Sequence, residues 1–152
     1  MITPPGQGGV AAVRLAGPNS RAILERVFRP TSAGPVCPFL MRHGRIMSRN
    51  GDVLDEVLAV FMPEGHSYTG LDQVEIFCHG GAQVVRMLLE LITASGARPA
   101  EPGEFTKLAF LNGRIDLAQA EAVAELIASS TRISHQAGRD HLTGGYSSYV
   151  DE

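Results

Sequence analysis

Three charged residues of this sequence stand among apolar residues or glycine. Arg14 interrupts the run Val-Ala-Ala-Val-Arg-Leu-Ala, Glu75 lies inside Val-Glu-Ile-Phe, and Arg114 follows an Asn-Gly pair and precedes Ile-Asp. Burying a charge is costly unless a partner accompanies it. Arg14 and Glu75 are therefore expected to pair with each other, to face water, or to contact a polar ligand.

Other arrangements that support catalysis or metal binding are weakly represented. A P-loop requires a Gly-Lys pair followed by Ser or Thr, and no Gly-Lys pair occurs in the chain. The glycine-rich segment 6–9 precedes a predicted strand, whereas a phosphate cradle precedes a helix. His66, Cys78 and His79 lack the paired spacing of zinc ligands, so we predict that His79 is a hydrogen-bonded residue at a strand end beside Gly80. No acid is identifiable that would orient His66 beside Ser67. We predict no catalytic residue and no metal ligand set.

Strand and turn patterns predict a sheet in the first half of the chain. Asn50-Gly51 between two apolar-rich runs is a strong hairpin signal. The proline-rich segment from Arg29 to Leu40 excludes regular structure. The predicted elements are a strand at Gly9–Leu15, a helix from Ser20 to about Phe28, and hairpin strands at Met41–Ser48 and Val53–Met62.

The second half of the sequence starts with a strand and continues mainly in helices. Alternation along residues 74–79 places Glu75, Phe77 and His79 on one face of the strand and Val74, Ile76 and Cys78 on the other. The first of these faces is unusually polar. The last helix should begin at Asp116, in a capping box with Gln119, and its apolar stripe needs cover from other helices. The predicted elements are a strand at Val74–His79, a helix at Ala82–Ala94, a short strand at Ala97–Ala100, a helix at Glu104–Leu111, and a helix from Asp116 toward Gln136.

Composition narrows the function class. The chain has 152 residues, a formal charge of −3 and 44% apolar residues, which fits a soluble globular protein and argues against a strong electrostatic grip on nucleic acid. Its two cysteines have settings too different for a disulfide framework. No apolar run approaches the ~20 residues that span a membrane. We therefore expect a cytoplasmic protein with reduced thiols and no membrane partner.

Four sequence blocks together resemble one protein family. Three of them are Thr-Pro-Pro-Gly-Gln-Gly-Gly at 3–9, His-Ser-Tyr-Thr-Gly at 66–70 and Cys-His-Gly-Gly at 78–81. The fourth is Pro-Ala-Glu-Pro-Gly-Glu-Phe-Thr-Lys at 99–107, which runs into Ala-Phe-Leu-Asn-Gly-Arg-Ile-Asp-Leu-Ala-Gln-Ala-Glu-Ala at 109–122. In this order they resemble the amino-terminal region of the tRNA-modification GTPase family MnmE/TrmE. The resemblance implies an α+β fold, a small mixed sheet with flanking helices, similar to the folate-binding domain of glycine-cleavage T-protein. It also implies a folate-binding and dimerisation domain at 1–115 and the first segment of an all-α domain at 116–152.

The same resemblance implies a ligand and three contact residues. The family binds 5-formyl- or 5,10-methylene-tetrahydrofolate in this region, and its contact positions fall on Arg14, Glu75 and Arg114. A pterin presents an amino-pyrimidinone edge from which a carboxylate such as Glu75 can accept two hydrogen bonds, one at each oxygen. Arg14 or Arg114 can pair with carbonyl or glutamyl carboxylate oxygens. Arg114 stands where the family frequently has lysine, and Leu71 where an acidic residue usually precedes Asp72.

The resemblance further implies the activity of a larger parent protein. Such a GTPase acts with a flavin-containing MnmG/GidA-like partner to modify carbon 5 of the wobble uridine in tRNA, and it forms a homodimer. GTP, Mg and K would bind in a G domain downstream of Glu152, so we expect this chain to be a fragment that does not hydrolyse GTP. Family members usually have a short strand before the block at 3–9, so the chain is expected either to begin within that strand or to have a truncated first sheet edge. The alternatives are a stand-alone folate-dependent aminomethyltransferase-like enzyme and an interaction module without folate.

Overall fold

The computed structural model describes residues 2–3 and 8–128, which form two compact units. The first unit comprises the residues up to Ser67 together with Leu71–Pro99. The second comprises Tyr68–Gly70 and the residues from Ala100 onward. The expected boundary at residues 115 and 116, between the folate-binding domain and the helical domain, stays a prediction.

The first unit is a five-stranded sheet with two helices. Its strand order is β1-β5-β4-β3-β2, and each of the four neighbouring pairs is antiparallel. The expected combination of helices and strands is confirmed, but the sheet is antiparallel rather than mixed, apart from an isolated parallel bridge between Pro38 and Phe61. The elements are β1 (Gly8–Ala16), α1 (Ser20–Val27), β2 (Phe28–Pro30), β3 (Arg42–Met47), β4 (Val53–Met62), β5 (Gln73–Gly80) and α2 (Ala82–Ala94).

The core of this unit lies between one face of the sheet and the helices α1 and α2. Alternate residues of β5 point into it, and Val74, Ile76 and Cys78 are each no more than 2% exposed. Leu24 of α1 and Leu88 of α2 are equally well buried against them. The predicted alternation of β5 is therefore confirmed, and residues 75, 77 and 79 point to the opposite face.

The strand β2 was not predicted. The helix was expected to reach Phe28 and a loop to follow, whereas Phe28 pairs with Ile46 and Pro30 with Gly44 at the edge of the sheet. A proline is tolerated there because an edge strand leaves one row of N–H groups unpaired. The Phe28 ring fills the space above Gly44, where an added Cβ would lie 2.5 Å from its Cε2 atom.

Two further expectations concern turns and connections. The Asn50-Gly51 hairpin is confirmed: Gly51 has φ +87° and the Ser48 amide donates to the Asp52 carbonyl across the turn. The strand expected at Ala97–Ala100 is wrong, because this stretch has no regular structure and is largely exposed. Pro99 lacks an N–H for a strand ladder, so the stretch is poorly suited to sheet pairing.

The second unit contains α3 (Glu104–Leu111) and α4 (Leu117–Ala128). The predicted capping box is confirmed: the Asp116 amide donates to Gln119 Oε1 at 3.0 Å, and the Gln119 amide donates to Asp116 Oδ1 at 2.7 Å. Leu117 is 59% exposed and Ile127 82% exposed, so part of the predicted apolar stripe is uncovered. The expected extension of this helix to Gln136 lies outside the described residues.

Candidate ligand-binding site

Arg14 and Glu75 form a salt bridge across the β1–β5 pairing. They occupy directly opposed positions in the register. Arg14 Nε donates to Glu75 Oε1 at 2.9 Å, and Arg14 Nη2 lies 2.8 Å from the same oxygen. The two side chains are only 19% and 16% exposed. Of the three expectations for these charges, mutual pairing is thus confirmed. Both side chains lie on the sheet face opposite the core.

A third residue joins this pair. Gln73, two positions before Glu75 on β5, donates its Nε2 to Glu75 Oε1 at 3.2 Å. The side chain of Gln73 is fully buried, with 0% exposure. Among the described residues, none donates a hydrogen bond to the other carboxylate oxygen, Oε2. The carboxylate is therefore fixed through one oxygen and retains acceptor capacity at the other.

The same face of β5 ends in a carboxylate–imidazole pair. Asp55, whose side chain is 9% exposed, accepts from His79 Nδ1 at 2.7 Å and from the His79 backbone N–H at 2.9 Å. A carboxylate only accepts, so Nδ1 of His79 carries its proton toward Asp55. The prediction that His79 is a hydrogen-bonded residue at a strand end is confirmed. Burial, and to a smaller extent the Asp55 carboxylate, raise the pKa of the neighbouring Cys78 thiol.

Among the predicted site residues, Arg14 and Glu75 lie in the first unit and contact each other, whereas Arg114 belongs to the second unit. The Tyr68–Gly70 turn supports Arg114 within this unit. Asn112 Nδ2 donates to the Thr69 carbonyl at 2.8 Å, and Gly70 has φ +78°. A Cβ on Gly70 would lie 3.1 Å from Arg114 Cγ, so glycine permits both the backbone conformation and the close approach.

The structure also describes the surroundings of Ser67 and of the two cysteines. Ser67 Oγ donates to the Leu71 carbonyl at 2.5 Å and is 2% exposed, which suits a turn residue. Within the part of the chain that the structure describes, no three His, Cys, Asp or Glu residues are grouped so that they could hold a metal ion. The two cysteines are not bonded to each other; Cys37 is exposed and Cys78 buried. None of the described helices has the length and apolarity that crossing a membrane requires.

Sequence reasoning missed Gln73 and Asp55. Gln73 lies two residues before Glu75 in the same strand, so strand alternation places both side chains on one face of the sheet. This spacing could have identified Gln73 from the sequence. Its full burial depends on its register neighbours Ala16 and Met62 on the two adjacent strands. The contact of Asp55 with His79 joins β4 to β5 at a point where their backbone pairing has ended, and no local pattern indicates it.

The first unit is thus a domain of two helices packed on an antiparallel sheet. A partly buried network of charged and polar side chains lies on the sheet face opposite the core. Residues 1–114 match the family described as the amino-terminal region of the GTP-binding protein TrmE. The chain therefore belongs to this family, and the predicted family is confirmed. Its relatives include proteins named tRNA modification GTPase MnmE.

Three of these relatives illustrate the extent of the similarity. The Roseiflexus sp. (strain RS-1) protein is 52% identical over 131 residues, covering 86% of this chain and 28% of that protein. The Thermotoga maritima protein is 48% identical over 151 residues, covering 99% and 33%. The Moorella thermoacetica protein is 47% identical over 157 residues, covering 100% and 34%. The chain thus spans about a third of the length of these relatives.

Proposed function

We propose that this chain is the amino-terminal part of a tRNA-modification GTPase and binds a tetrahydrofolate derivative, 5-formyl- or 5,10-methylene-tetrahydrofolate. The observation that carries the proposal is the state of the Glu75 carboxylate. Oε1 accepts from Arg14 and Gln73, while Oε2 accepts no hydrogen bond from a described residue. A partly buried carboxylate with one open oxygen is an acceptor for the amino-pyrimidinone edge of a pterin.

The geometry refines the role of Glu75. Two parallel hydrogen bonds to both carboxylate oxygens were one expectation for the pterin edge. Because Oε1 is already engaged, the ligand is expected to donate to Oε2. Arg14 pairs with the glutamate through Oε1. Arg114 remains the predicted third contact, through its guanidinium, for carbonyl or glutamyl carboxylate oxygens.

The wider proposal concerns the parent protein. Residues 1–115 would form a folate-binding and dimerising domain similar to that of glycine-cleavage T-protein, and residues 116–152 the first segment of a helical domain. GTP, Mg and K would bind in a separate G domain, and a flavin-containing MnmG/GidA-like partner would join in modifying carbon 5 of the wobble uridine in tRNA. Self-association is supported by the exposed apolar residues Phe110, Leu111, Leu117 and Ile127 of α3 and α4.

The test is calorimetric titration of the chain with 5-formyltetrahydrofolate. Glu75→Gln keeps the shape but removes the charge, and we expect it to weaken binding by about 10- to 100-fold, the range of a hydrogen bond to a charged group. The matched control is Glu56→Gln, because Glu56 also pairs with an arginine across two strands but is exposed. That control should bind as the parent chain does.

The outcomes separate the candidate functions. Binding by the parent that is weakened in folded Glu75→Gln and retained in Glu56→Gln supports the proposal. Absence of binding by the folded parent chain overturns the folate assignment and favours an interaction module. Light scattering of the same samples tests dimerisation independently, since a monomer at micromolar concentration would contradict that part of the proposal.

A further inference from the structure

Gln73 is a buried polar side chain that neither the family resemblance nor the charge pattern identifies. It lies on β5, opposite Ala16 of β1 and Met62 of β4, and has 0% exposure. A buried amide is costly unless its donors and acceptor are satisfied. Its Nε2 donates to Glu75 Oε1 at 3.2 Å and lies 3.9 Å from Met62 Sδ. The amide is therefore tied directly to the carboxylate of the candidate site.

The orientation of this amide follows from the chemistry of its partner. An ionised carboxylate only accepts, so the amide must present its NH₂ group to Glu75. Arginine and carboxylate groups frequently pair through both oxygens of the carboxylate. Here Arg14 Nε and Nη2 both approach Oε1, at 2.9 and 2.8 Å, and the Gln73 amide reaches the same atom. These three nitrogen atoms around Oε1 keep the carboxylate from turning its second oxygen toward Arg14.

We propose that Gln73 is a positioning residue that acts through Glu75 and makes the site selective for a ligand with an N–H donor edge. By holding Oε1, it directs Oε2 to the ligand, and an oxygen without a hydrogen favours amino groups over carbonyl or C–H groups at that position. The inference rests on the proposed folate function, since it explains how the site distinguishes an amino-pyrimidine edge from an edge without the amino group.

The test compares two ligands, 5-formyltetrahydrofolate and its analogue without the 2-amino group. We expect the parent chain to prefer the first by about tenfold or more, as for a hydrogen bond to a charged group. Gln73→Met keeps the side-chain length and removes the donor, and it should lose most of that preference. Gln83→Met is the matched control, because Gln83 is an exposed residue of α2 that contacts Arg86. The control should keep both affinities.

A second variant gives a readout that a packing role alone would not produce. In Gln73→Glu the new carboxyl group can donate to Glu75 only while it is protonated. As pH rises and this group ionises, two adjacent carboxylates repel each other. Preference for the 2-amino ligand should therefore be present at acidic pH and fall as pH rises, while the parent chain shows no such fall. Circular dichroism at each pH establishes that the variant stays folded.

Each outcome has a distinct meaning. If the parent chain does not bind 5-formyltetrahydrofolate, the proposed function fails. If the parent binds and Glu75→Gln does not, yet folded Gln73→Met keeps the full preference, the role of Gln73 is overturned and the folate proposal stands. If Gln73→Met does not fold, the pH profile of Gln73→Glu decides: a flat preference overturns the inference, and a preference that falls with rising pH supports it.

Discussion

The sheet contains two cross-strand arginine–glutamate pairs in different environments. Arg14 and Glu75 are opposed in the β1–β5 pairing, and Arg45 and Glu56 in the β3–β4 pairing. The closest nitrogen–oxygen distances are similar, 2.8 and 3.1 Å. The side chains of the first pair are 19% and 16% exposed, and those of the second 56% and 50%. The two pairs thus share residue types and register and differ mainly in burial.

Burial decides what each pair can do. Water screens the exposed Arg45–Glu56 pair, and such surface pairs contribute roughly 0–1 kcal/mol to stability. The Arg14–Glu75 pair is less screened by water. Removal of one partner therefore leaves the other charge partly buried, with little water to solvate it. The partly buried pair also has an additional donor in Gln73, which the exposed pair lacks among the contacts of the described residues. Residue types and register alone therefore do not distinguish the candidate site from a surface ion pair; partial burial and the contact with Gln73 do.

The largest effect is expected from removing one arginine of each pair. Arg14→Met should lower the free energy of unfolding by about 1–3 kcal/mol, because Glu75 then stays partly buried beside Gln73 without its cation. Arg45→Met should change it by less than about 0.5 kcal/mol, because both partners of that pair can be hydrated. Urea denaturation followed by circular dichroism measures both. Equal losses in the two variants would contradict the distinction between the pairs.

A double-mutant cycle sharpens the comparison by isolating the interaction between the partners. Arg14→Met and Glu75→Gln, singly and together, should give a coupling energy of about 1–2 kcal/mol. The same cycle at Arg45 and Glu56 should give about 0.2–0.5 kcal/mol and should decrease further when salt is added. Coupling at Arg14–Glu75 no larger than that of the exposed pair would show that burial does not strengthen it.

Local sequence patterns predicted most of the helices and strands. The pairing of Arg14 with Glu75 was predicted only as one of three alternatives. The alternation of β5, the turn at Gly51 and the capping box at Asp116 are set by neighbouring residues, and all three are confirmed. The strand β2 depends on the fit of Phe28 above Gly44, 16 residues away in the sequence, so no local pattern indicates it. The burial of Gln73 likewise depends on strands that are distant in the sequence.

A smaller effect than that of Arg14→Met is expected from the thiol of Cys78, on the core face of β5. Cys78 is 2% exposed and its Sγ lies 3.6 Å from the Ala11 carbonyl oxygen. Burial, assisted by the charge of Asp55, raises the pKa of this thiol above its ordinary value of 9.0. In the unfolded chain the thiol ionises near that ordinary value, so above it the unfolded state binds fewer protons than the folded state. Stability should therefore fall as pH rises.

The contribution of Cys78 is expected to be less than about 1 kcal/mol between pH 8 and 9.5. Cys78→Ala should abolish this part of the pH dependence, although the variant is less stable at neutral pH because a small cavity replaces the sulfur. Cys37→Ser is the matched control, since it removes the other thiol of the chain, which is exposed. Denaturation at several pH values measures the slopes. An unchanged slope in Cys78→Ala would mean that water reaches the Cys78 thiol, which would contradict its burial on the core face of β5.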